Sequence, residues 1–170
     1  YRRSLRLRLD PTADSLQLIA DKLRSSPRRV VFAEGEEERS IRAAIAYRSG
    51  GFGHPVLIGR ENVVQEKLAS LGLSGVEPLD IQNARFGAPN IERSTDFLYK
   101  RLQRRGHLHR DCQRWVNQNR NVFAACMVAT GDADAMVTGL TRSFAVSFED
   151  IERVIDPQPD HIVFGLSVLA

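Results

Sequence analysis

Lysine is scarce in this chain, cysteine scarcer still, and no apolar run is long. Lysine occurs only at Lys22, Lys67 and Lys100, so nearly all positive charge is arginine. Those arginines are interleaved with Glu and Asp, the pattern of solvated helix faces rather than of a stripe for a phosphate backbone. The net charge of +3 and a pI near 9.2 therefore give no reason to expect a nucleic-acid partner. Cys112 and Cys126 lack CxxC spacing, which excludes a zinc site built from them alone and argues against a disulfide framework. A reducing cytoplasm is the expected compartment. No stretch has the length to cross a bilayer, and the basic start YRRSLRLRLDP lacks the apolar core of a secretory signal, so no membrane partner is expected. There is no Walker motif, no GxGxxG and no nucleophile elbow.

What is present is an ordinary globular composition in 170 residues, 42% hydrophobic and 26% charged, enough for a real core. Residues 1–11 read as a linker or arm. Pro11 and Thr12 open a helix with Leu16, Leu18, Ile19 and Leu23 on its apolar face, stopped at Ser25 to Pro27. Arg29 to Ala33 is a short β-branched run, the mark of a buried strand. A turn at Glu34 and Gly35 leads to a helix begun by Glu36, Glu37 and Glu38, carboxylates that suit its dipole. Pro55 to Ile58 is a second strand, Glu61 to Leu71 a helix, and Val76 to Ile81 a weaker strand. Helices are expected over Glu92 to Arg105 and over Leu108 to Ala129, the latter broken near Asn117 to Asn121. A strand at Ala135 to Thr138, a helix at Ser147 to Ile155 and a last strand at His161 to Leu169 complete the pattern. This alternation predicts an α/β fold with a mostly parallel sheet between two helical layers. An end in an apolar strand, after a basic arm at the start, suggests a fragment of a longer protein.

The run GDADAMVTG, Gly131 to Gly139, ends a helix, turns through two aspartates and enters a strand. Ligands of open parallel sheets sit at the carboxyl ends of the strands. Gly139 to Ser143 (GLTRS) is thus a candidate anion loop, with Gly139, Thr141, Arg142 and Ser143 as its residues. The blander reading makes Gly139 a tight turn and Arg142 a solvated side chain. EGEEERS, Glu34 to Ser40, has one glycine and too many carboxylates to hold a phosphate, and reads as a dipole-matched helix start. GGFGHP precedes a strand, the wrong edge for a site. His107 and His109 lack a third ligand and read as solvent-facing. Arg101, Arg104 and Arg105 suit the end of their helix, or could grip an acidic ligand.

Three stretches in series, RVVFAEGEEERSIRAA, GHPVLIGR and GDADAMVTG, resemble the phosphate acetyl/butyryl transferase family from about Arg28 onward. Within it the chain looks like the phosphotransacetylase-like region fused behind bacterial NADP-dependent malic enzymes. ADAM, the Arg104-Arg105-Gly106 run and VIDPQPDHIVFGLS (Val154 to Ser167) point that way. The resemblance implies a three-layer α/β/α fold of the isocitrate/isopropylmalate dehydrogenase kind. Residues 12–157 would form its first subdomain and 158–170 the first strand of the next part. It also implies a parent that oxidatively decarboxylates malate to pyruvate with NADP and a divalent metal, Mg or Mn, bound outside this chain. The region itself would sense acetyl-CoA and help build a homo-oligomer, with no cofactor of its own. Active transferases carry an arginine where Glu149 stands, and another near Leu102, beside Arg101. A carboxylate cannot replace a phosphate-gripping guanidinium, so no catalytic residue is assigned. The alternatives are a working phosphate acetyltransferase or butyryltransferase, and an interaction module without a small ligand.

Overall fold

Alternation along two short strands sets the layers. In the computed structural model, which describes residues 11–73, 75–84 and 89–165, β1 (Arg28–Phe32) and β2 (Gly53–Ile58) are the central strands. β3 (Asp80–Gln82) lies beside β2 and β4 (Ala135–Val137) beside β1, giving the parallel order β3-β2-β1-β4. Val30, Phe32 and Leu57 point to one face, where they pack with Ile41 and Ala44 of α2 (Glu38–Ser49) and Val64 and Leu68 of α3 (Glu61–Ser70). Val31, Ala33, Val56 and Ile58 point to the other. There they meet α4 (Pro89–Leu102), α5 (His109–Gln118) and α6 (Arg120–Ala129), whose Leu98, Leu102, Val116 and Phe123 are fully buried. Each such side chain contributes about 1.5–3 kcal/mol of transfer free energy, which is why five- and six-residue strands suffice to hold two helical layers. The three-layer α/β/α architecture with a parallel sheet is the one expected from the sequence.

Gly53 opens β2 because nothing else fits. Its φ is 148°, and a Cβ there would lie 1.9 Å from the Arg28 carbonyl oxygen. The turn before β2 is thus a packing device at the amino edge, as its position implied.

Several boundaries differ from the sequence reading. The acid-rich turn runs to Glu37 and α2 starts at Glu38, because Glu36 is drawn into ion pairs with Arg60 and Arg120. The third strand keeps only Asp80–Gln82; Pro78, which has no N–H to give a ladder, stands just before it. The helix expected at Ser147 to Ile155 is α7, Phe144–Glu152. Ser143 supplies the cap instead, its hydroxyl accepting from Val146 N, while Ser147 is buried inside the helix. No strand forms over residues 161–165, where Ile162 and Phe164 are 84% and 79% exposed; the rest of that expected strand lies outside the described residues. The arm before Pro11 also lies outside them. In α1 (Pro11–Ser25), Leu16, Leu18 and Ile19 are exposed rather than packed. Arg24 ties the helix to the body by donating to the Gly50 carbonyl (2.8 Å) and stacking on Phe52. Among the described residues no helix is long and apolar enough to cross a membrane.

Candidate functional site

The carboxyl edge of the sheet is where β1 and β4 deliver Glu34 and the GLTRS loop side by side. The two aspartates of GDADAMVTG work at the opposite end of β4. Asp134 accepts from the backbone N–H of Arg29 (2.8 Å) and from the Arg28 guanidinium (3.2 Å), pinning β4 to β1. Asp132 accepts from the Thr130 hydroxyl and pairs with Arg93. Asp134 thus pins the strand register, Asp132 ties the turn to α4, and Gly139 shapes the loop. Gly139 has φ 107°, a conformation that side-chain-bearing residues rarely adopt.

That conformation turns successive N–H groups toward one point, and the point is occupied by Glu34. Its Oε2 accepts from Gly139 N (3.0 Å) and Leu140 N (2.7 Å). Its Oε1 accepts from Thr141 N (2.7 Å) and the Thr141 hydroxyl (2.5 Å). Glu34 is only 5% exposed. Burial pushes its pKa up, but the hydrogen bonds from Thr141, Leu140 and Gly139 outweigh that and hold it below the ordinary value. The loop is therefore an anion-binding loop whose anion is the chain's own carboxylate. Sequence reading treated Glu34 as a turn residue. Only the adjacency of β1 and β4, which no local pattern encodes, gives it this partner.

The other residues singled out in the sequence are also engaged. Arg142 donates to Asp150 (3.1 Å), and its side chain remains 42% exposed. Ser143 caps α7. Arg101, 16% exposed, clasps Asp156 with both terminal nitrogens and donates to the carbonyls of Arg153 and Glu152. The structure does not bring Arg101 to the loop. The two lie at opposite ends of α7, about 13 Å apart at 1.5 Å per residue. Leu102 is buried. Glu149 reaches solvent and pairs with Arg153 (3.1 Å). His109 pairs with Asp96 (3.1 Å), and His107 packs edge-on against Trp115. Among the described residues no group of three or more His, Cys, Asp or Glu is placed to hold a metal ion. Both cysteines are free and buried, with Cys126 pushed up to about 12 by desolvation.

Open space adjoins the loop on two sides. One cleft, about 400 Å³, is lined by Glu37, Glu38, Arg39, Leu140 and Thr141. The other, about 520 Å³, lies between β4 and α7 and is lined by Val137, Thr138, Gly139, Phe144, Phe148 and Ile151 among others. Beside it Phe144 is 82% exposed and stacked on Phe148, with ring centroids 5.5 Å apart.

A parallel sheet between helical layers is the fold this chain shares with solved phosphotransacetylases. EutD phosphotransacetylase from Staphylococcus aureus superposes with a TM-score of 0.72 at 26% identity, over 87% of this chain and 44% of that one. The family model described as phosphate acetyl/butaryl transferase matches residues 15–170, and the chain belongs to that family. It is 48% identical over 172 residues to the NADP-dependent malic enzyme of Rhizobium meliloti (strain 1021), and 44% identical over 174 residues to a probable NADP-dependent malic enzyme of Rickettsia prowazekii (strain Madrid E). Each match covers 99% of this chain and 22% of the relative, so the chain spans about a fifth of the length of the malic enzymes it matches. These matches bear out the resemblance to a phosphotransacetylase-like region of the kind malic enzymes carry.

Proposed function

We propose that the chain is the regulatory and oligomerisation region of a cytoplasmic NADP-dependent malic enzyme, with acetyl-CoA as its effector. The observation that carries the reading is the match to malic enzymes along 99% of the chain. Glu149, where active transferases of the family would carry arginine, supports a fold kept for a task other than acyl transfer. Malate oxidation and decarboxylation, with NADP and Mg or Mn, are assigned to the part of the protein this chain does not span.

The effector loop is Gly139 to Ser143. With the Gly139, Leu140 and Thr141 N–H groups and the Thr141 hydroxyl held by Glu34, the group left to meet a CoA phosphate is the half-exposed Arg142. In the full-length protein, Arg142→Ala is expected to raise the acetyl-CoA concentration for half-inhibition by about tenfold, the value of one lost charge-assisted hydrogen bond. Unchanged inhibition overturns the loop as effector site. Acetyl phosphate formation from acetyl-CoA would instead favour a working transferase.

The apolar surface of α7 supports the assembly role, since an 82% exposed Phe144 stacked on the half-buried Phe148, with Val146 exposed on the same helix, is the kind of apolar patch that marks interfaces. Phe144→Glu alters an exposed position and is expected to shift the full-length protein to a smaller species in sedimentation velocity. An unchanged sedimentation coefficient removes this face from the assembly.

A further inference from the structure

The GLTRS loop offers an incoming anion one guanidinium, and that guanidinium is already engaged. Arg142 Nη1 donates to Asp150 Oδ2 (3.1 Å), and among the described residues this is the side chain's only hydrogen bond. The two ends of the pair are unlike. The Arg142 side chain is 42% exposed at the loop, whereas that of Asp150 is 7% exposed, almost two turns into α7.

Asp150 has other donors. Its Oδ1 accepts from Asn119 Nδ2 (2.7 Å) and Arg153 Nη1 (3.5 Å), and its Oδ2 also from Asn121 Nδ2 (3.4 Å). Arg153 is itself shared with Glu149 (3.1 Å). Release of Arg142 leaves the buried carboxylate with two amides and a cation it must share. Three remaining donors make that state reachable. The thinned counter-charge makes it costly, because a buried carboxylate depends on its partners. The bond is thus a restraint that an incoming anion has to break.

Charge decides which anion can break it. A carboxylate or a phosphodiester brings one negative charge, as Asp150 does, and must also shed water, so the exchange gains nothing. A phosphate monoester carries about −1.5 to −2 charges at pH 7 and three strong acceptor oxygens. It offers Arg142 more than Asp150 does.

We propose that Asp150 sets which anions the loop accepts: it withholds Arg142 from monoanions and yields it to a phosphate monoester. The inference rests on the reading of Gly139 to Ser143 as the acetyl-CoA loop. Under that reading the group bound at Arg142 is the 3′-phosphate of the CoA ester, not its diphosphate bridge, whose phosphates each carry one charge. Asp150 acts through Arg142 and is a positioning residue.

The test is calorimetric titration of the full-length protein with acetyl-CoA and with acetyl-dephospho-CoA, which lacks only the 3′-phosphate. Wild type is expected to bind acetyl-CoA about tenfold tighter, the value of one hydrogen bond to a charged group, and Arg142→Ala to abolish the difference. Asp150→Asn frees the guanidinium for a monoanionic phosphate of the bridge. It should tighten acetyl-dephospho-CoA by about fivefold or more, the lower end of couplings between linked groups, and so narrow the ratio. Glu149→Gln removes a charge one residue away, from a side chain 72% exposed, and should leave both affinities within about twofold.

No saturable heat with acetyl-CoA, or wild-type affinity in Arg142→Ala, sinks the effector reading and this inference with it. An Arg142-dependent affinity overturns the role of Asp150 alone if Asp150→Asn fails to tighten the dephospho ligand, or if Glu149→Gln tightens it equally. If Asp150→Asn does not fold, the wild-type ratio decides, and a value below about threefold overturns the proposal.

Discussion

Replacing Glu34 with alanine is expected to lower the stability of this chain by about 3 kcal/mol. Hydrogen bonds to a charged group are worth about 1.5–3 kcal/mol each, but the freed loop N–H groups can find water, so the four do not add. The loss should appear as a lower urea midpoint followed by fluorescence of Trp115, the only tryptophan. Glu34→Gln, which keeps one acceptor oxygen, should cost about half as much. Glu37→Ala, in the same turn but exposed, should stay within about 0.5 kcal/mol. The pH dependence has a fixed sign. The folded-state pKa values of Glu34 and Glu36 lie below the ordinary glutamate value of 4.5, so their contribution is complete above that pH. It is lost as the pH falls through the folded values, which for Glu36 means a window between 4.5 and about 2. In Glu34→Ala the acid-side slope should flatten. A Glu34→Ala loss below about 1 kcal/mol would mean the loop holds itself without the carboxylate.

Local pattern was enough for the layers and not for the site. The runs RVVF and PVLI are apolar on both faces, which only a sheet covered on both sides can satisfy, and both are central strands. Asn117 to Asn121 read as a helix break because asparagine competes for backbone hydrogen bonds, and α5 ends there. Glu34 escaped notice for a different reason. Its loop donors are more than 100 residues away and reach it only because β4 pairs with β1. Glu36 likewise meets Arg120 across 84 residues. Charge patterning along one helix sees a dipole-matched first turn in EGEEERS. Three-dimensional adjacency makes two of those carboxylates anchors for separate loops. The tail at His161 carried a strand-like pattern without a described neighbour to pair with, and pattern alone supplies no hydrogen bonds.

Asp150 is expected to matter about as much as Glu34, although Glu149 beside it drew the attention in the sequence. It is 5% exposed and gathers four elements on one carboxylate. Oδ1 accepts from Asn119 Nδ2 (2.7 Å), at the break between α5 and α6, and from Arg153 Nη1 (3.5 Å) just past α7. Oδ2 accepts from Arg142 Nη1 (3.1 Å), in the loop, and from Asn121 Nδ2 (3.4 Å). Asn121 in turn accepts from the Thr138 hydroxyl (2.6 Å) at the end of β4. Asp150→Ala leaves the buried Asn121 amide without its acceptor and the Arg142 guanidinium without its carboxylate, while Arg153 keeps Glu149. Breaking a buried pair costs about 3–5 kcal/mol, and the 42% exposure of Arg142 argues for the lower end, about 3 kcal/mol. Asp150→Asn keeps the shape and should cost about half. Glu149→Ala removes a pair whose carboxylate is 72% exposed and should stay within about 0.5 kcal/mol. Because Asn121 and Asp150 belong to one network, Asn121→Ala should cost less in the Asp150→Ala background than alone. Urea midpoints of these five variants, the double variant included, decide the matter. Equal, small losses at positions 149 and 150 would dissolve the network into ordinary surface ion pairs, and additive losses at 121 and 150 would show that the loop and α6 are held independently.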